Sequence, residues 1–493
     1  MKFKSTRGGV DGVSFQEVLF SGYASDGGLY VPEVLPSVAG HLEAWSKLTF
    51  PQLMEEVLFL FAGEEIPRAD LNKLVQAMFA DFSAKEVVPV IQLGAVSVAE
   101  LFHGPTLAFK DFGQQALIKL LDYFANRDNR QATLLVSTTG DTGPAALYAA
   151  TGCSRLKIFC HFPEGQVSNL QERQMTTVTS PNVTVITYQG GGDDMDGPIK
   201  SLIMDPGMRK KHGVGGVNSI NWCRVCAQTA HYFWSHFRAA EQKGRPISSP
   251  SIFAIPTGAM GNVVAGHIAK LMGLPIEGLR CGVNANDIVD RAFTRGEFHK
   301  HDLVRTVSEA INIQVPYNFE RLLYYLTDQD CAQTKAAMES VTETGKYTLP
   351  GHLLTKLQSL FSSSRVDDDA CLGTIKRYHD QRGYLLCPHS AVGIKVAEDH
   401  KIGPDDQLAA DAPMVIVLAT AHAAKFEEAI RRALGDQFWD VELQKSMPPS
   451  VKELMKASTR QPLRFAASSG GLDASQAEWT EKLRGLVERS AKL

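Results

Sequence analysis

The chain has 493 residues, 50 Lys+Arg against 54 Asp+Glu, a formal net charge of -4 and 44% hydrophobic residues. That balance excludes disordered, collagen-like and disulfide-scaffold classes, and it gives no electrostatic footprint for nucleic acid or an anionic membrane. Eight cysteines spread over this length point to free thiols in a reducing compartment, hence to a cytoplasmic, multidomain enzyme.

The opening residues carry charge without an apolar core behind them, so no secretory signal is expected. Residues 1–90 read as a mainly helical N-terminal domain, with helix-type apolar spacing over Phe50 to Ala62 and Ala69 to Phe82. Residues 91–235 read as a smaller α/β domain. Its strands are expected at 132–137, 156–161 and 182–187, and a helix over 113–124 buries positions 116, 117, 120, 121 and 124. A polar break at 241–250 precedes a larger α/β domain, 236–493, with strands at 251–255, 279–284 and 413–420. A mostly helical insertion is expected over about 286–382, and a C-terminal extension follows the last strand. The longest apolar run, 413–424, is about half of a bilayer span, so no membrane segment is expected. Strand and helix in alternation predict two open parallel sheets with a small-molecule cleft between them.

Lys110 stands between Phe109 and Phe112 at the start of a helix. Apolar surroundings and a helix N-terminus both disfavour its cation and leave the free amine that imine formation requires. Alone, the segment is better read as an ordinary lysine with a hydrated head. Val136-Ser137-Thr138-Thr139-Gly140-Asp141-Thr142-Gly143-Pro144 runs from strand to helix and offers hydroxyls and N–H groups to a carboxylate; Asp141 or Thr142 acting as N-cap is the plainer account. Ile255-Pro256-Thr257-Gly258-Ala259-Met260-Gly261-Asn262 repeats the pattern, with glycines that let a phosphate approach. It is neither a dinucleotide fingerprint nor a P-loop.

The order of these motifs resembles the threonine synthase family, pyridoxal-phosphate enzymes of fold type II (tryptophan synthase β-like). The likeness runs through Ser5-Thr6-Arg7-Gly8, Tyr23 to Glu33, His103-Gly104-Pro105-Thr106 with Phe109-Lys110-Asp111, Gln174 to Thr177 and Asn218 to Arg224. It continues through Ile313 to Arg321, Pro388 to Gly393, and Ala421-His422 with Ala424-Lys425-Phe426. The resemblance implies that Lys110 binds pyridoxal 5'-phosphate covalently and later shuttles protons. It further implies that Gly258, Ala259, Met260, Gly261 and Asn262 hold the cofactor phosphate and that Thr420 meets the pyridine nitrogen. Thr138, Thr139 and Thr142 match the loop that binds the substrate carboxylate; Asn218, Ser219 and Arg224 match the site for the substrate phosphate. Asp141 stands where many fold type II enzymes carry an Asn that donates to the phenolic oxygen of the cofactor. An ionised carboxylate would repel that oxygen, so Asp141 is expected to be protonated or turned away. The implied reaction removes phosphate from O-phosphohomoserine and adds water to give threonine. The partner is a small phosphorylated amino acid, no metal is implied, and the chain is expected to be a monomer or homodimer.

Four positions, in three places, depart from the pattern. Ala259 stands for Asn; Cys387 and Ser390 stand for Asp and Thr around the Pro-His motif; Ala423 stands for Pro. These features are similar to the animal phospho-lyase branch, which releases 2-oxobutyrate, whereas the His103–Phe109 and Ala421-His422 segments look like true synthases. A cofactor-binding but catalytically idle protein is the remaining alternative, and a serine or threonine dehydratase is disfavoured. Cys223-x-x-Cys226 is read as fortuitous, Gly190 to Asp194 as a turn with an Asp N-cap, and Asp367 to Asp369 as a solvated run or helix start. His103 and His389 are read as packing or catalytic with equal weight, and His422 as lying near the pyridine end of the cofactor.

Overall fold

Short β-branched runs that are buried on both faces build two parallel sheets, seen in a computed structural model that describes residues 1–490. The larger sheet has six strands in the order Phe361–Arg365, Ile276–Val283, Ser251–Pro256, Met414–Ala419, Val96–Glu100, Val90–Leu93. Met414–Ala419 (MVIVLA) lies at its centre, fully buried, with Val415 opposite Val96 on one side and Ile252 on the other. Only the outermost pair, 90–93 with 96–100, is antiparallel. These two strands fall at the start of the 91–235 stretch yet hydrogen-bond into the sheet of the later one, because a sheet edge is chosen by long-range pairing that local sequence does not encode. The insertion is likewise not wholly helical: its strand Phe361–Arg365 forms the other edge.

The smaller sheet has five parallel strands in the order Leu463–Phe465, Val183–Tyr188, Leu156–Pro163, Ala132–Ser137, Val214–Gly216. Its outer strand comes from the C-terminal extension. The helix Leu472–Ser490 then locks this strand by burying Trp479 against Tyr188, ring centroids 5.4 Å apart, with the indole N–H donating to the Ala466 carbonyl at 2.8 Å.

Helix Phe50–Ala62 opens with a capping box between Thr49 and Gln52. Phe50 packs edge-on against both Phe112 and Trp234, at 5.3 and 5.7 Å. The N-terminal region thereby backs the lysine-bearing helix Lys110–Arg127 and the central, almost wholly buried helix Trp222–Gln242. The N-terminal motif also reaches the cleft at second hand. Arg7 forks onto Glu320 at 3.0 and 2.8 Å, and the neighbouring Arg321 donates to the carbonyls of Tyr30 and Ser219. None of the helices described is long and apolar enough to cross a membrane.

Candidate active site

Lys110 is the first residue of its helix, three residues earlier than periodicity suggested. The approach to it is fixed by backbone bonds: the Phe109 N–H donates to the Thr420 carbonyl at 2.8 Å, Ala108 bridges Ala421, and Leu107 takes φ of 62°. The ammonium sits 4.6 Å from the Phe109 ring centroid. Burial, then the charge of Arg224, bring the Lys110 amine down to about 8, against a smaller upward pull from Asp141.

Strand Ala132–Ser137 delivers the threonine turn to the same cleft. Thr138 Oγ1 accepts from the Gly140 N–H at 3.0 Å, and Gly140 takes φ of 131° with Gln171 so close that a Cβ would lie 2.3 Å from its Oε1. Asn218 clamps this turn, its amide bonding both the N–H and the carbonyl of Ser137 at 3.2 and 2.8 Å. Strand Ser251–Pro256 brings the glycine turn, after which helix Gly261–Leu271 starts with Met260 in the left-handed region at φ 60°. No side chain caps that helix, and its first residues, Gly261 to Val263, line the cleft. A Cβ on Gly261 would lie 2.9 Å from the Ser219 Cβ, so the glycine turn touches the segment that carries Asn218 and Ser219.

Every residue expected at the site except Arg224 lines this one cavity. Arg224 is fully buried behind it, its Nη1 donating to the Val217 carbonyl at 2.9 Å and its Nε 2.5 Å from where a Gly113 Cβ would be. Burial brings its guanidinium down to about 10. The helix face that carries Arg224 could be read from sequence, but the close packing of Gly113 over it could not.

Of the two states expected for Asp141, protonated or turned away, the first does not hold: it stands at the N-cap position of helix Thr142–Ala150 without a side-chain cap bond, and its carboxylate pairs with the Lys425 ammonium at 2.9 Å and accepts from Gln171 at 3.0 Å. Burial pushes this carboxyl up, but the Lys425 charge and the hydrogen bonds from Lys425 and Gln171 outweigh burial and hold it below the ordinary range. Lys425 also donates to the Thr106 carbonyl at 2.8 Å. Its only signal in the sequence is membership of the Ala424-Lys425-Phe426 motif, which by itself assigns the lysine no role.

Sequence reading also missed Gln228, Asp193, Asp196 and Tyr317 on the cavity wall. Asp193 accepts from the Gln314 N–H at 2.9 Å and burial pushes it up to about 6; Asp196, raised further by burial, takes the Tyr317 hydroxyl. The Gly190–Asp194 turn has no Asp N-cap. Asp194 accepts from the Gly191 N–H at 2.6 Å, and Met195 precedes the helix without a side-chain cap. Four buried polar atoms on the cavity residues have no partner: Ser137 Oγ, Gln228 Oε1, Asn262 Nδ2 and His389 Nδ1. With the free N–H groups at Gly261 and the lysine amine, they fit a flat, polar, phosphorylated aldehyde such as pyridoxal phosphate.

Residues 2–79 match the family profile described as threonine synthase N terminus, and residues 390–464 match threonine synthase, C-terminal. The chain is 40% identical to threonine synthase-like 2 of Homo sapiens, over 88% of this chain and 89% of that protein. It is 37% identical to threonine synthase of Saccharomyces cerevisiae, over 92% of each chain. The chain belongs to the threonine synthase family. A crystal structure described as PLP-bound threonine synthase from Brucella melitensis superposes with a TM-score of 0.84 at 36% identity, covering 98% of this chain and 99% of that one. The expected class, α/β of fold type II, therefore holds.

In this threonine synthase family member the departures from the family pattern fall in different places. Ala259 lines the cavity. Cys387 does not: it is a buried N-cap whose sulfur accepts from the Ser390 N–H at 3.3 Å, with burial pushing the thiol up to about 11. Ala423 and His422 line a separate pocket behind the 102–107 segment, where His422 stacks edge-on to Phe102 at 5.5 Å. His103 is there too, bonded to Glu100 at 2.8 Å. Cys223 and Cys226 are buried free thiols within helix Trp222–Gln242, and Asp367 caps helix Asp368–Arg382.

Proposed function

We propose that this cleft binds pyridoxal 5'-phosphate through Lys110, eliminates phosphate from O-phospho-L-homoserine and adds water to give L-threonine. The chain is a pyridoxal-phosphate-dependent lyase. One observation carries the reading: a lysine of lowered basicity and an uncapped helix N-terminus with a glycine turn open onto a single cavity.

When bound, the cofactor supplies an electron sink that acidifies the C–H bonds of the amino acid attached to it. The chain supplies the rest. The N–H groups after Met260 would hold the cofactor phosphate, and Thr420 would offer the ring nitrogen a neutral hydroxyl in place of a carboxylate, which makes the sink a moderate one. Thr138, Thr139 and Thr142 bind the substrate carboxylate. Lys110, held at about 8 and therefore about one-tenth free amine at pH 7, takes a proton at Nζ and returns it. Ser219 and the clamped Asn218 border the space for the substrate phosphate. Arg224 acts there only through Lys110 and the helix wall, since it lies behind the lining.

Ala259 favours a second reading, release of 2-oxobutyrate and ammonia, because the turn lacks an amide that would steady the leaving phosphate. Incubating the cofactor-loaded protein with O-phosphohomoserine and quantifying phosphate, threonine and 2-oxobutyrate together tests both. Threonine in excess supports the synthase reading, 2-oxobutyrate in excess the second, and no phosphate release leaves a catalytically idle protein.

A further inference from the structure

We propose that His389 presents its Nδ1–H to the phenolic oxygen of the cofactor, the task that Asp141, paired with Lys425, does not perform. The inference rests on the reading of the cleft as a pyridoxal-phosphate site. His389 is the second residue of helix Pro388–Asp399, 2% exposed, and lines the cavity. Its Nε2 accepts from the Ala310 N–H at 3.1 Å. A ring nitrogen that accepts carries no proton, so in a neutral imidazole the hydrogen is on Nδ1. Nδ1 is buried and has no partner in the protein. Burial brings His389 down to about 4; Asp141 and a hydrogen bond to the Ser308 backbone oppose this, and Lys425 and Lys110 add to it. The ring is thus neutral at physiological pH, held by Phe426 at 4.7 Å between centroids. Asp141 has no hydrogen to donate, because its Oδ1 is engaged by both Lys425 and Gln171. The wall therefore holds one anion that cannot donate and one neutral ring whose Nδ1–H has no acceptor in the protein.

Two isosteres separate donation from scaffolding. Asn keeps an N–H near the position of Nδ1 and loses the acceptor for Ala310; Gln keeps an acceptor near Nε2 and loses the donor. His389→Gln should weaken cofactor affinity roughly five- to tenfold, read by fluorescence quenching, and shift the absorption maximum of the bound cofactor. His389→Asn should keep both near the parent values. The reverse ranking, or two unchanged spectra over protein that borohydride still fixes at Lys110, overturns the inference while leaving the cofactor reading intact. Failure of the parent protein to take up cofactor overturns both. Should the variants not fold, nitrogen-15 NMR of the cofactor-free parent decides: a proton on Nδ1 with bare Nε2 is expected, and a proton on Nε2 overturns the inference.

Discussion

The Lys425 ammonium lies 2.9 Å from the Asp141 carboxylate, and both side chains are shut away from solvent. A helix turn that would otherwise meet its ligand with a bare negative charge instead meets it with a neutralised pair.

Removing one partner strands the other. Lys425→Met should destabilise the protein by about 3–5 kcal/mol in urea unfolding, and adding Asp141→Asn should restore most of that loss. The acid side follows from the lowered Asp141 carboxyl: the contribution is present above the ordinary carboxylate range, about pH 4, and is lost as pH falls through the lower native value. An additive double mutant would refute the coupling.

Lys110, held at about 8, should titrate in the working range. Cofactor uptake by the cofactor-free protein, followed by absorbance, should fall as pH drops through 8 and be flat above about pH 9. An exposed lysine would still be gaining rate towards its ordinary value, about 10.4. Continued rise above pH 9 would count against the burial argument.

Arg224 is the second cause of that lowering, after burial. Arg224→Met removes a positive charge beside the amine and should raise the uptake midpoint by about half to one unit. An unmoved midpoint with an increased KM for the phosphorylated substrate would instead assign Arg224 a direct phosphate contact.

Gly261→Ala would put a Cβ 2.9 Å from Ser219 Cβ, and the Ser219 backbone is not free to retreat because Arg321 and Asn318 both hold its carbonyl. The helix start must shift, and cofactor affinity should drop about tenfold, roughly 1.4 kcal/mol by calorimetry. Native affinity would show that the turn does not bear on the phosphate.

By itself the sequence determined the parts whose causes are local. β-branched runs marked the central strands, with 132–137 matched to the residue, and the Thr49–Gln52 box and apolar spacing marked helix Phe50–Ala62. Motif order marked Lys110, the threonine turn and the glycine turn as companions. What only the tertiary structure decided are the relations between distant residues. Lys425 neutralises Asp141 across 284 positions of sequence, the strand Leu463–Phe465 completes a sheet begun at Ala132, and Gly113 packs over Arg224 so that the arginine faces Lys110 from behind the cavity. Cys387, which by pattern bears on the product, proves to be a helix cap. Local propensity is set by each residue and its near neighbours, whereas burial, charge pairing and proton position depend on which surfaces the fold brings within a few ångströms.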